Sequence, residues 1–437
     1  MNGHFLLLVI TMLQALWGMV SPTQQLDESA IVANEALVSY PEQVTFRLET
    51  DPDVNIVEAT LTYGVEQVSC LDVNTRVPVE VTGPILKWDW IMIRSGNPPP
   101  GASLWWEWTL TDDQGNTYTP PRQELIFEDD RFEWQTVSEG EITLHWYAGE
   151  DVGPMLLEAA VEGLQLLEAD LGIDLQDEVE FYIYGSPEDM RDAVLYIQDW
   201  AGGVAFSEYN IILMGVPPSI AAVWGRDTVR HELTHLVLGQ YGRSCVGGDR
   251  PSWLEEGLAM YAEGEPTDEI MDDLDDALRN NSFIPLRSLN GAFPAHGDAA
   301  GLAYNQSFSV IQFLSEEYGP ELISDLILVL AEGESYDDAL EQVYGFNVDG
   351  LEQAWRGWIG APMRPLPPTS TPFSAAAVPT MVPLAAPEDF PTPEFFPENA
   401  DPQPAGAPTS SLCALGLIPL MMLGVFSWQG RKSKTNG

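Results

Sequence analysis

The stretch that most constrains this 437-residue chain is His231-Glu232-Leu233-Thr234-His235. Histidines four residues apart share one face of an α-helix, and the glutamate beside the first points at the same spot, so the three side chains converge only if the segment is helical. Val229, Leu233, Leu236 and Val237 make that helix one that must pack. Asp227 stands where it would cap the helix. Packing takes the polar trio out of water as well, and buried imidazoles and carboxylates need partners. A zinc ion meets that need. In a hydrolytic site zinc takes three protein ligands and keeps a fourth position for water. The third ligand is expected from a neighbouring helix, and the segment from Pro251 to Ala259 starts one and offers Glu256.

With Trp253-Leu254-Glu255-Glu256-Gly257 added, these residues resemble the gluzincin metallopeptidases, and within them the peptidase MA-like family. The resemblance continues through Leu302-Ala303-Tyr304-Asn305-Gln306-Ser307 and Leu351 to Ile359, covering roughly 131–360. It implies that His231, His235 and Glu256 are zinc ligands and that Glu232 is the general base, with Glu255 a solvated neighbour. Two departures stand out. Gluzincins often carry a carboxylate four residues after the ligand glutamate, to orient a ligand histidine; here that position is Met260, and Glu263 is the substitute within reach. Aminopeptidase members carry a Gly-x-Met-Glu-Asn strand that captures a free amine, whereas the corresponding stretch here, Gly202-Gly203-Val204-Ala205-Phe206, has no glutamate. An endopeptidase is therefore expected ahead of an aminopeptidase.

In such a site zinc would lower the pKa of bound water toward ~7 and polarise the scissile carbonyl, while Glu232 moves the proton to the leaving amine. The edge formed by Gly203, Val204 and Ala205 would align an extended peptide by main-chain hydrogen bonds. A further donor to the developing oxyanion is expected. Tyr304, read as opening a helix, is the first candidate, and His296, in the loop Pro294-Ala295-His296-Gly297, is the second.

The chain around this region divides by pattern. From about 33 to 128 it alternates apolar and polar residues with period two, as in Val44, Phe46, Leu48, then Val57, Ala59, Leu61, Tyr63, then Trp106, Trp108, Leu110. Turn-rich breaks separate these runs, so a small antiparallel β-sandwich of immunoglobulin or fibronectin type is expected. Its tryptophans are read as core and cross-strand pairs ahead of a carbohydrate-binding face. From 131 to 360 strands and helices mix. Strands are expected at Ile142 to Tyr147, Val179 to Tyr184, Gly203 to Phe206 and Asn210 to Met214. A helix ends near Gly172, another starts from Ser186-Pro187, and nearly everything after Asp227 reads as helix.

Residues 361–410 hold 14 of the 34 prolines and cannot form a core; as a stalk in extended polyproline II they would reach roughly 150 Å. Leu412 to Trp428 is a run of 17 uncharged residues, about 25 Å as a helix, followed by Arg431-Lys432-Ser433-Lys434. It reads as a transmembrane helix over 411–428 with a basic cytoplasmic tail over 429–437, against a cleaved sorting tail as the other reading. Phe5 to Val20 reads as the apolar part of a signal peptide over 1–25, or an uncleaved anchor. Both put the body outside the cell. A formal charge of -49 excludes a nucleic-acid partner, since the field repels polyanions. Cys70, Cys245 and Cys413 make no disulfide framework; whether Cys70 and Cys245 pair stays open.

The expected fold is thus multidomain: an all-β sandwich, an α+β metallopeptidase domain with a helical C-terminal half, a Pro-rich stalk and one membrane helix. The expected function is a cell-surface zinc peptidase acting on peptide or protein substrates. A catalytically silent surface protein that binds through the sandwich is the alternative. Substrate sequence and oligomeric state are not legible.

Overall fold

The computed structural model describes residues 26–68, 73–197, 202–241, 250–293 and 298–365. The expected signal segment, the span over 411–428, the tail, most of the stalk, the three cysteines and His296 lie outside these residues. No helix among the described residues is long and apolar enough to cross a membrane.

The N-terminal region is a pair of antiparallel sheets. One joins β1 (Ile31–Ser39), β2 (Gln43–Thr50) and β5 (Ile85–Ile91) in the order β1-β2-β5. The other runs β4 (Asn74–Val79), β3 (Ile56–Val65), β6 (Ser103–Asp112) and β7 (Thr117–Tyr118), with β8 (Gln123–Ile126) also on β6. The period-two residues Val44, Phe46, Leu48, Ala59, Leu61, Tyr63, Trp106, Trp108 and Leu110 fill the space between them. Val57 does not. A register shift between Ile56 and Glu58 adds one residue to β3, so Ile56 turns inward and Val57 faces solvent at 54% exposure.

The second region opens with a five-stranded sheet in the order β12-β13-β11-β10-β9. Its strands are β9 (Gln135–Glu139), β10 (Ile142–Trp146), β11 (Val179–Tyr184), β12 (Gly203–Phe206) and β13 (Ile211–Gly215). The pairs β10/β11 and β11/β13 are parallel, and β12 lies antiparallel on β13 at one edge. Helix α1 (Val152–Leu166) crosses between β10 and β11 and runs through a π-turn to Gly172, whose left-handed φ of 64° ends it. Helix α2 (Pro187–Arg191) starts where expected, under a Ser186 cap, but lasts five residues.

Seven helices follow among the described residues: α3 (Arg226–Gln240), α4 (Ser252–Glu263), α5 (Asp268–Asn280), α6 (Asp298–Tyr318), α7 (Glu321–Ala331), α8 (Tyr336–Tyr344) and α9 (Val348–Ile359). One core joins this bundle to one face of the sheet, through Leu144, Phe181, Ile212, Leu233, Trp253, Ile311 and Trp355 among others.

The other face of the sheet meets the sandwich. Tyr40 donates to Ala193 O at 3.0 Å, and Asn97 bonds both Ala193 O (2.9 Å) and Leu195 N (2.7 Å). In the connection between the regions, the Asp129 carboxylate is wholly buried, accepting from Arg131 Nε (2.8 Å), Arg131 Nη2 (2.6 Å) and the Tyr184 hydroxyl (2.9 Å). Trp134 packs edge-on against Tyr147, Tyr182 and Tyr184 beside it. At the other end of the bundle, Glu352 of α9 accepts from Leu286 N (3.0 Å), Arg356 Nε (2.8 Å) and Arg364 Nε (2.5 Å). Arg364 also donates to Phe283 O at 2.8 Å, so the chain after α9 is pinned to the bundle.

Candidate metal centre

Helix α3 carries His231, Glu232 and His235, and its Val229, Leu233, Leu236 and Val237 are fully buried, which fixes the rotation of the helix about its axis. The expected Asp227 cap is absent. A π-turn over Ala221–Gly225 feeds directly into α3, so Asp227 sits inside the first turn and caps nothing. Helix α4 brings Glu256 to the same point and is anchored by Trp253, Leu254 and Leu258. Gly257 allows α4 to lie against α6, because a Cβ there would stand 2.6 Å from Ser307 O. That closeness puts Tyr304 of α6 across from the ligands, its ring centroid 6.5 Å from that of His231. Tyr304 does not open its helix; α6 begins six residues earlier, at Asp298.

The geometry fits a cation. Glu256 Oε2 lies 3.5 Å from His231 Nε2 and 3.4 Å from His235 Nε2, and the three ligand atoms fall within 4.8 Å of one another. All three atoms are buried and have no hydrogen-bond partner among the described residues. Zinc–nitrogen bonds of about 2.0–2.1 Å in a tetrahedron separate ligand atoms by roughly 3.3–3.4 Å, close to the two spacings seen. His231 Nδ1 lies 2.7 Å from Glu263 Oε1, so its N–H donates there and Nε2 is the ring atom turned to the cluster. Glu263 thus takes the place left by Met260.

Electrostatics say the same. Burial works against protonating His231, but the carboxylates of Glu256 and Glu263 overcome it and hold its pKa up at about 10. Burial would raise Glu256, yet His235 and then His231 hold it down at about 2. With no cation present the positive charge these carboxylates favour is a proton on His231, which a divalent ion bound at the same point would displace. Glu232 is different: burial, its largest influence, pushes its carboxyl above the usual range against the pull of both histidines. Its two oxygens are buried without a partner. Burial and the charges of Glu256 and Glu232 raise Tyr304, keeping the hydroxyl a donor; it too has no partner among the described residues.

Gly203, Val204 and Ala205 form the edge strand β12, which pairs with β13 alone among the described residues. Gly203 faces α3 and lies against Glu232, Ala205 packs on the main core, and Val204 points to the opposite face. Glu255 is not a solvated neighbour: it is half-buried and paired with Arg250, Nη2 to Oε1 at 3.0 Å. Sequence reasoning missed Phe293, whose ring meets Tyr304 edge-on at 5.2 Å, and nothing in its local pattern distinguishes it.

Residues 159–361 match the family model described as Peptidase MA superfamily. No curated protein matches the chain. Among solved structures, one similar protein is a mutant of a two-domain M1 zinc metallopeptidase bound to L-arginine. It is 14% identical over 75% of this chain and 92% of that one, with a TM-score of 0.35. Another is the M1 zinc metallopeptidase from Deinococcus radiodurans, 14% identical over 76% and 91%, with a TM-score of 0.31. Likenesses this distant carry no weight for activity.

Proposed function

Over residues 159–361 the chain belongs to the peptidase MA superfamily and is a metallopeptidase, and we propose that it is a zinc-dependent endopeptidase. The observation that carries the zinc reading is the set of three buried, unpartnered ligand atoms on His231, His235 and Glu256. When bound, zinc supplies a Lewis acid that lowers the pKa of water and polarises a carbonyl.

The chain's own residues do the rest. An extended peptide adds to the open edge of β12 through the main chain of Gly203, Val204 and Ala205. Glu232 accepts a proton from the attacking water and returns it to the amine as the C–N bond breaks. Its low-dielectric setting raises its proton affinity toward what that task needs. The Tyr304 hydroxyl, which has no other hydrogen bond among the described residues, donates to the carbonyl oxygen as charge develops there. No carboxylate in β12 is available to hold a free amine, which favours internal bonds over terminal ones.

The reading extends to location. The enzyme is exported and held at the cell membrane by 411–428 at the end of the 361–410 stalk. Its support is the apolar character of the two terminal segments and the basic tip.

The test is metal analysis of the purified chain together with cleavage of unstructured peptides blocked at both ends. Wild type should bind one zinc per chain and cut internally, while Glu232→Gln keeps zinc and loses at least about a hundredfold in kcat. Near-normal turnover by Glu232→Gln refutes its role, and cleavage confined to free N-termini refutes the endopeptidase reading.

A further inference from the structure

Gly203 is buried at the start of β12, and the place where its side chain would be is occupied by the Glu232 carboxylate: a Cβ built there would stand 2.6 Å from Glu232 Oε1, 3.0 Å from Cδ and 3.2 Å from Cγ. The backbone at 203 is ordinary strand, with no positive φ, so glycine is not needed for its conformation. It is needed for the space. On the far side of the carboxylate the helix is fixed by its buried apolar residues and by the two ligand histidines, leaving Glu232 only 1% exposed. The carboxylate therefore rests against the edge strand by contact, and neither oxygen has a hydrogen-bond partner among the described residues.

We propose that Gly203 is a positioning residue: its missing side chain forms the slot that seats the Glu232 carboxylate in line with the peptide on β12. This rests on the reading of Glu232 as the base. It adds a reason why the strand at this point bears no Cβ, beyond main-chain pairing with a substrate.

The consequence is directional. An alanine methyl must push Oε1 from 2.6 Å out to ordinary contact at 3.4 Å, a retreat of about 0.8 Å. Displacements near 1 Å in a reacting group cost about 10²-fold in rate. Because the obstructed atom ends a flexible side chain, the fold survives and the base moves.

Four variants test this in the full chain: Gly203→Ala, Glu232→Asp, the double variant, and Gly239→Ala. Gly239 is the control, because it is an equally close approach of α3 to the sheet connection, with Ser207 Oγ 2.6 Å from its built Cβ, but far along the helix from the base. Gly203→Ala should keep zinc and its melting temperature within a few degrees, lose about 10²-fold in kcat and change KM less than about threefold. The double variant should be only slightly slower than Glu232→Asp alone, since the shorter acid removes the 2.6 Å clash and leaves approaches of about 3.0–3.2 Å. Gly239→Ala should keep kcat. A crystal structure of Gly203→Ala should show the carboxylate displaced. An unmoved carboxylate, additive losses in the double variant, or an equal kcat loss in Gly239→Ala would overturn the proposal. A displaced carboxylate in an enzyme whose Glu232→Gln variant still turns over would instead remove the base assignment and leave the seating intact.

Discussion

Removing the Glu263 carboxylate should weaken zinc binding without touching a ligand. Glu263 Oε1 accepts from His231 Nδ1 at 2.7 Å, and the His231 side chain is only 4% exposed. Glu263→Ala therefore leaves a buried N–H that water reaches poorly, and such a group costs about 1–3 kcal/mol. The loss of ring orientation falls in the same range, since partners of ligand histidines are worth about 10–100-fold in metal affinity. A fall of about 30-fold is expected, equal to about 2 kcal/mol. Glu263→Gln keeps an acceptor oxygen in place and should lose about tenfold or less. The assay is equilibrium competition for zinc against a chromophoric chelator, with Met260→Ala, a neighbour that offers no acceptor, as the reference. A zinc affinity within twofold of wild type for Glu263→Ala would refute the reasoning, because His231 would then be oriented by its packing alone.

Three further outcomes are expected. Tyr304→Phe should keep zinc and KM but lose roughly 10²-fold in kcat, and unaltered single-turnover rates would exclude the hydroxyl as an oxyanion donor. Burial alone would raise the Glu352 carboxyl, but Arg364, Arg356 and the Leu286 N–H hold it below the usual range, so its contribution to stability is complete at neutral pH. That contribution is lost as the pH falls below about 4.5 through the lower folded value; Glu352→Gln should cost about 3–5 kcal/mol at pH 7, and urea midpoints at pH 3.5 should show the gap narrowing. A gap constant with pH would mean the carboxylate charge does not stabilise the fold. Protease added to intact cells should release the body by cutting within 361–410, and deletion of 411–437 should send it to the medium; retention of the truncated chain at the membrane would point to the N-terminal segment as the anchor.

The convergence of His231, His235 and Glu256 was legible because its information is local. Two histidines and a glutamate on one helix declare their convergence by spacing, and Glu256 follows from the need for a third ligand on a second helix. Strands declared themselves equally well wherever the alternation was regular. They misled at Val57, where one inserted residue reverses the faces on either side of it. Asp227 misled for a related reason: a π-turn upstream had already begun the helix, and the residue that looked like a cap was an interior one. Nothing marked Asp129 and Arg131 as the joint between the two regions. Their meaning comes from Tyr184, 55 residues away, and a carboxylate beside an arginine is commonplace until the aromatic wall around it is seen. Gly203 belongs to the same class, since a glycine in a strand says nothing of the side chain that fills its place.

The chain leaves the folded body through a clamp and not through the loose end of a helix. After α9, Gln353 Nε2 holds Arg364 O at 2.9 Å and Arg356 Nη1 holds Pro362 O at 3.2 Å, while the Arg364 side chain reaches Glu352 and Phe283 O. Traction on whatever follows is met first at Arg364, whose ion pair with Glu352 and main-chain bond from Gln353 pass it sideways into the middle of α9 and not into its last turn. Glu352 passes the strain to Leu286 N across the bundle, so it is shared between two segments 66 residues apart in sequence. A pull on the chain beyond residue 365 would thus be taken up at this exit point, and a cut there would leave the fastening of Arg364 to Glu352 and Phe283 closed.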